Sequence, residues 1–340
     1  MRLFESETVR LFEAKISGLG VYVPPEVRAN DYFERTVHVS DEWIVRRTGI
    51  RERRICRPGT PSSELAALAG RRVIEESGIS PAEIDAIIVA TATPDMIFPA
   101  TACLVQNKLE CRRAWGFDIS AACCGFLIAV QSAVQFIKTG ALQRALVIGV
   151  DVMSSITNSS DPDTCVLFGD GAGAVLVERA DEQDNCVLID SLHETDGSCA
   201  GSLRIPGGGS LHPASTETVS KKMHFVHQDG ASVFKYAVGK LAEVCHRLLA
   251  RNNLTINDIK LFVPHQGNRR IIVAVKERLN LCSSRVVVNI DKYGNTGAAT
   301  IPLALRSAVD EQRLKKGDTV LLAAVGAGMM AGATLLRWSF

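Results

Sequence analysis

The chain has 340 residues, 46% hydrophobic and 22% charged, with 38 Lys plus Arg against 37 Asp plus Glu and a formal net charge of +1. This length suits two domains or one large one, the composition excludes a disordered chain, and the balanced charge removes any generic electrostatic case for binding nucleic acid or an anionic membrane. Its ten cysteines include no CxxC pair, which argues against a zinc ribbon or a disulfide scaffold and for reduced thiols in the cytoplasm.

The opening fifteen residues mix acidic and basic side chains without an apolar run, unlike a secretory signal. Residues 63–77 read as a helix closed by Gly78, 85–92 as a short buried strand and 101–109 as a second helix. Residues 115–119 follow as a strand, 124–139 as a helix apolar on nearly every side, and 144–150 as another buried strand. The order then recurs, with helices at 232–249, 271–279 and 300–312 and strands at 259–263, 286–290 and 319–325. Residues 78–85 (GISPAEID) resemble residues 253–260 (NLTINDIK) at a constant offset of 175, which points to an internal duplication of an α/β unit. The expected organisation is an N-terminal half at 14–180, a polar insertion of loops and a hairpin at 181–229, and a C-terminal half at 230–340. Loops of two equivalent halves would meet in one site at their junction. Two uncharged runs, 119–137 and 319–336, approach the length of a membrane span. Polar side chains in the first, and Gly326, Gly328 and Gly332 in the second, favour buried core.

Three residues stand where strands pass into helices. Cys123 lies in FDISAACCGF, with small residues before it and Gly125 after it, which predicts a tight elbow. A helix start there would lower the thiol pKa and suit a covalent acyl carrier, although free cysteines are more often inert core residues. His265 in VPHQGN directly follows a buried strand; a lone histidine is more often a satisfied structural residue. Asn295 in DKYGNTG has ordinary turn chemistry as its competing explanation, yet in the repeat it occupies nearly the place of Cys123. Together the three are far more specific than any one. The string GDGAGA at 169–174 looks like a phosphate loop but lacks the Lys-Ser/Thr that should follow. The backbone of Gly326-Ala327-Gly328 could approach a ligand and hydrogen-bond an oxyanion.

With these motifs on the page, nearly the whole chain, from Lys15 to Trp338, resembles the thiolase superfamily and most closely its β-ketoacyl-acyl-carrier-protein synthase III family. The resemblance rests on SDEWI (40–44), RTGIRER (47–53), the Cys123 stretch, FGDGAG (168–173), VPHQ (263–266) and YGNT (293–296). It implies a thiolase-like α/β fold with duplicated halves in a five-layered αβαβα arrangement. It further implies that Cys123 takes an acyl group from a primer acyl-CoA, with the N–H groups of Cys123 and Ala327 as oxyanion hole. Malonyl-acyl carrier protein would follow, and His265 and Asn295 would stabilise the enolate formed as CO2 leaves. No metal or redox cofactor is implied. Trp43, Arg47, Phe168, Gly230, Phe234, Gly267, Asn268 and Val325 would bind CoA and substrate, and Lys235 and Arg270 the acidic carrier protein. Phe98 would reach the primer pocket of the partner in a homodimer. The chain departs from the family pattern at Pro162, where an arginine often sandwiches adenine against Trp43, and at Val325 and Met329-Met330-Ala331, where ring volume is lost. The loss would admit a longer or branched primer, and a related condensing enzyme of secondary metabolism is the alternative.

Overall fold

Strands of Ala, Ile and Val with hardly a charge need cover on both faces. The computed structural model, which describes residues 11–185 and 187–340, supplies that cover in layers. The first ten residues, read above as part of a non-secretory opening, and Cys186 lie outside the described residues.

The first sheet runs in the order Ala14–Tyr22, Asp170–Arg179, Arg144–Val152, Ala86–Ala90, Trp115–Ile119. Its first two pairings are antiparallel and its last two parallel. The second sheet runs Leu188–Thr195, Met330–Arg337, Thr319–Gly326, Leu261–Pro264. Its pairings are antiparallel, antiparallel and parallel. A parallel bridge from Phe262 to Val286 stands where a fifth strand would lie. Order and direction therefore repeat, and so does the spacing: strands start at 86 and 261 and at 144 and 319, inner helices at 125 and 300.

Helices Gly125–Lys138 and Thr300–Asp310 lie between the sheets. Phe126, Leu127, Ile301 and Leu305 share one buried cluster with Val147 and Val175 of the first sheet and Val263 and Leu322 of the second. This explains why residues 124–139 read as apolar on every side. Phe126 and Leu127 are fully buried, and each such side chain contributes about 2–3 kcal/mol of transfer free energy. Helices Ser62–Ser77 and Thr101–Lys108 cover the outer face of the first sheet. Gly230–Arg251 and Arg269–Arg278 cover that of the second. The result is a five-layered αβαβα fold.

Two expectations are corrected. The stretch 286–290 is no strand: after its single bridge it turns into the short helix Ile290–Tyr293. The stretch 181–229 is not wholly an insertion, because Leu188–Thr195 pairs along Met330–Arg337 as the edge strand of the second sheet. Its polar sequence hid a strand that is only half-buried. The string 169–174, which lacked the Lys-Ser/Thr of a phosphate loop, runs into strand Asp170–Arg179. The glycines there serve packing: a Cβ on Gly173 would meet Pro302 Cβ at 2.5 Å, where the inner helix begins. The uncharged run 319–336 is two antiparallel strands. Among the described residues no helix is long and apolar enough to cross a membrane.

Candidate active site

Strand Trp115–Ile119 passes into helix Gly125–Lys138 through the 3-10 turn Ala122–Cys124. Ala122 takes a left-handed φ of 45°, a conformation that costs a non-glycine residue about 1–3 kcal/mol. This strained elbow delivers Cys123 to the wall of a cavity of about 600 Å³. Gly326 closes on it from the second sheet: a Cβ there would sit 3.0 Å from Cys123 N and 3.4 Å from Cys123 Cβ. The thiol pKa departs from expectation. Burial pushes Cys123 up to about 12, and the nearby Asp151 carboxylate adds to the rise, while a backbone N–H acts the other way. Desolvation thus outweighs the helix start, and the Cys123 thiol holds its proton at pH 7.

His265 follows strand Leu261–Pro264 and is 8% exposed. Its Nδ1 lies 2.6 Å from Thr300 Oγ1. Gly267 passes beside the other ring nitrogen, where a Cβ would come within 2.6 Å of Nε2. Glycine therefore spares room at Nε2. Burial lowers the imidazole pKa to about 4, so the ring is neutral at pH 7. Asn295 is fixed through its backbone, donating to Leu167 O at 2.9 Å and accepting from Gly169 N at 3.1 Å. Its Oδ1 accepts the Gly297 N–H at 3.0 Å, which leaves Nδ2 as the donor end. Cys123, His265 and Asn295 all line the same cavity.

Asp151, which the sequence reading missed, ties the halves together. Its Oδ1 accepts from Ala92 N at 2.7 Å, Thr91 Oγ1 at 3.1 Å and Thr93 Oγ1 at 3.2 Å, all in the first half. Its Oδ2 accepts from Ala298 N at 2.7 Å in the second. Burial raises its pKa to about 6 against the pull of those donors. Gly297, at φ 59°, leaves no room for a Cβ against this carboxylate. A lone Asp after an apolar strand gives no sequence signal of this role.

The cavity also brings together Trp43, Arg47, Gly230, Phe234, Gly267, Asn268, Arg270 and Val325. Helix Asp41–Thr48, capped by Ser40, carries Trp43 and Arg47, whose guanidinium stacks 4.4 Å from the indole centroid. Asn268 caps helix Arg269–Arg278 through Arg270 N and reaches Arg47 O at 3.2 Å, so it holds the mouth together as well as lining it. Arg270 lies over Phe234 at 5.2 Å. Phe168 is not among the cavity-lining residues. It is buried beside Met153 and Val226 and stands in register with Asn295, whose backbone is held by the flanking Leu167 O and Gly169 N. Ala327 sits in the strand turn after Gly326, and Lys235 is exposed on its helix; neither lines the cavity. Phe98 is 82% exposed beside Ile97 at 85%. Met329, singled out in the sequence as a departure from the family pattern, lines the cavity at φ 48° with its carbonyl bound by Tyr236 Oη and Asp196 N.

One cavity thus offers a nucleophilic sulfur and, from the other half, a neutral imidazole and a carboxamide. Such a set can hold an acyl group covalently and donate hydrogen bonds to a developing oxyanion. A model of 3-oxoacyl-[acyl-carrier-protein (ACP)] synthase III matches residues 117–197, and one of its C-terminal part matches residues 249–338. The chain is 52% identical over 327 residues to a beta-ketoacyl-[acyl-carrier-protein] synthase III of Koribacter versatilis, covering 96% of this chain and 98% of that one. Its identity to the protein of the same name from Solibacter usitatus is 53% over 329 residues, covering 96% and 99%. The crystal structure of 3-oxoacyl-[acyl-carrier-protein] synthase III from Aquifex aeolicus matches the fold with a TM-score of 0.88 at 42% identity, covering 96% of this chain and 100% of that one.

Proposed function

The chain belongs to the β-ketoacyl-[acyl-carrier-protein] synthase III family of condensing acyltransferases, and on that footing we propose that it joins a primer acyl-CoA to malonyl-acyl carrier protein through an acyl-Cys123 intermediate. The observation that carries this reading is the convergence of Cys123, His265 and Asn295 on one cavity. In the first step the Cys123 sulfur bonds to the acyl carbon, the thioester bond to CoA breaks, and the thiol proton leaves with CoA. The backbone N–H of Cys123, against the abutting Gly326, is one proposed donor to the oxyanion, and that of Ala327, in the turn just outside the cavity lining, is the other. In the second step the malonyl group loses CO2, and the electron pair of the broken bond becomes an enolate. His265 and Asn295 donate to its oxygen. The enolate carbon attacks the acyl-Cys123 carbonyl, the 3-oxoacyl thioester departs on its carrier, and the released Cys123 thiolate takes a proton from solvent. The reading calls for no metal or redox cofactor.

Trp43 and Arg47 at the mouth suit the adenine and phosphates of CoA, and Arg270 with the exposed Lys235 suits an acidic carrier protein. Val325 and Met329 on the wall suit a primer broader than acetyl, since methionine repacks around varied shapes. The exposed Met96, Ile97 and Phe98 suit a second copy of the chain, and a cytoplasmic setting fits the free thiols of the nine described cysteines. The test is product analysis with short, branched and medium-chain acyl-CoA primers and malonyl-acyl carrier protein. A 3-oxoacyl-carrier product is expected, best with a branched or longer primer. Product formed only with a CoA-bound second substrate would overturn the reading in favour of a secondary-metabolic enzyme.

A further inference from the structure

The correspondence between the halves reaches individual side chains. Ala90 ends strand Ala86–Ala90 and Gly125 opens the first inner helix, where a Cβ would lie 3.0 Å from Ala90 Cβ. The counterparts 175 positions on are His265, just after strand Leu261–Pro264, and Thr300, which opens the second inner helix. The same strand-end to helix-start contact is therefore apolar in one half. In the other it is a buried 2.6 Å hydrogen bond between His265 Nδ1 and Thr300 Oγ1.

A threonine hydroxyl has one proton to give. Thr300 Oγ1 also lies 3.1 Å from Gly297 O. That carbonyl already accepts the Thr300 backbone N–H, which closes the 3-10 turn. The hydroxyl proton therefore has two acceptors in reach, Gly297 O at 3.1 Å and His265 Nδ1 at 2.6 Å, and the shorter contact together with the acceptor already filled by an N–H favours Nδ1. In the opposite arrangement Nδ1–H would donate to the hydroxyl, and a neutral ring would have no proton on Nε2 to offer an oxyanion. We propose that Thr300 is a positioning residue whose hydroxyl donates to His265 Nδ1 and so fixes the imidazole as the Nε2–H tautomer, a hydrogen-bond donor for the enolate. This rests on the condensation reading and adds the group that makes His265 a donor. Gly267 belongs to the same arrangement, because any side chain there would crowd Nε2.

Long-range 1H–15N correlation spectra of the histidine-labelled full chain read the tautomer directly, with His265→Gln identifying the resonances. At pH 7 the wild-type His265 is expected to carry its proton on Nε2 with Nδ1 bare; a proton on Nδ1 overturns the proposal. Thr300→Val keeps the shape and removes the hydroxyl. It is expected to slow decarboxylative condensation on the order of tenfold or more, while acyl transfer from acyl-CoA to Cys123 continues. Thr300→Ser is expected to restore both the tautomer and the rate. A full condensation rate in Thr300→Val, or an equal loss in Thr300→Ser, overturns the assignment. Failure of the wild type to acylate Cys123 would instead sink the condensing-enzyme reading, so the two failures are distinct.

Discussion

Each half opens its inner helix with a three-residue 3-10 turn, Ala122–Cys124 in one and Gly297–Ala299 in the other. The first turn spends its middle residue on a sulfur that faces the cavity. The second spends its middle residue, Ala298, on an N–H bound to Asp151, and buries it to 1% exposure. The counterpart of Cys123 is therefore Ala298, and Asn295 lines the cavity from three residues upstream, ahead of the turn. The duplication supplied two equivalent helix openings against one cavity. The two have diverged: one sets a thiol on the cavity wall, and the other is tied by its N–H to Asp151 behind Asn295.

The sharpest way to break this division is to move the sulfur. Cys123→Ala is expected to lower turnover at least about a thousandfold. Adding Ala298→Cys should recover nothing, because that position is buried behind the Asp151 contact. Turnover assays on the single and double variants check both; recovery in the double variant would show the openings to be interchangeable.

The donor side should fail differently. His265→Ala or Asn295→Ala is expected to reduce decarboxylative condensation about 100- to 1,000-fold, the usual cost of an oxyanion donor. Acyl-Cys123 should still accumulate, as stopped-reaction mass analysis would show. Smaller still is the expected pH effect. Because burial lowers the His265 pKa to about 4, the neutral donor is present at every pH above that value. The acid limb of malonyl-thioester decarboxylation should therefore lie near 4 and not near the ordinary histidine value of about 6.5. A limb close to 6.5 in a pH–rate profile would place the ring in water.

The smallest effect concerns the tie between the halves. Asp151→Asn turns an amide N–H2 toward donors that need an acceptor, and is expected to cost about 1–3 kcal/mol in urea denaturation. The sign of its pH dependence is fixed by linkage. The folded pKa of about 6 lies above the ordinary carboxylate value of 3.8, so the native state takes up a proton first. The wild type should gain stability from Asp151 as pH falls from above 6 toward 4, and Asp151→Asn should lose that slope.

What the sequence disclosed and what it hid follow from the same physics. Strands and helices with continuous apolar faces, Ala86–Ala90 and Arg144–Val152 among them, were legible because burial on both sides leaves a compositional mark. The matching spacing of 78–85 and 253–260 foretold two sheets of one order. Strand Leu188–Thr195 stayed hidden because its residues are half-buried and polar at an edge. Cys123, His265 and Asn295 were legible by motif and by their places after strands. The thiol pKa was not, because desolvation depends on the chains that close over Cys123, Gly326 among them. Asp151 and Thr300 act through bonds across distances of 147 and 35 residues, which no local pattern records. Phe168 was legible by motif, but the bonds to Asn295 at this point come from the backbones of its neighbours Leu167 and Gly169, where side-chain reasoning does not look.

The central claim is that one sulfur carries the acyl group between two thiol carriers. Intact-mass and peptide-mapping spectrometry of the full chain after incubation with acyl-CoA, without the second substrate, tests it most directly. The account predicts a single acyl adduct per chain, mapped to Cys123 and absent from Cys123→Ala. An adduct on Cys124, or one that survives in Cys123→Ala, would contradict it.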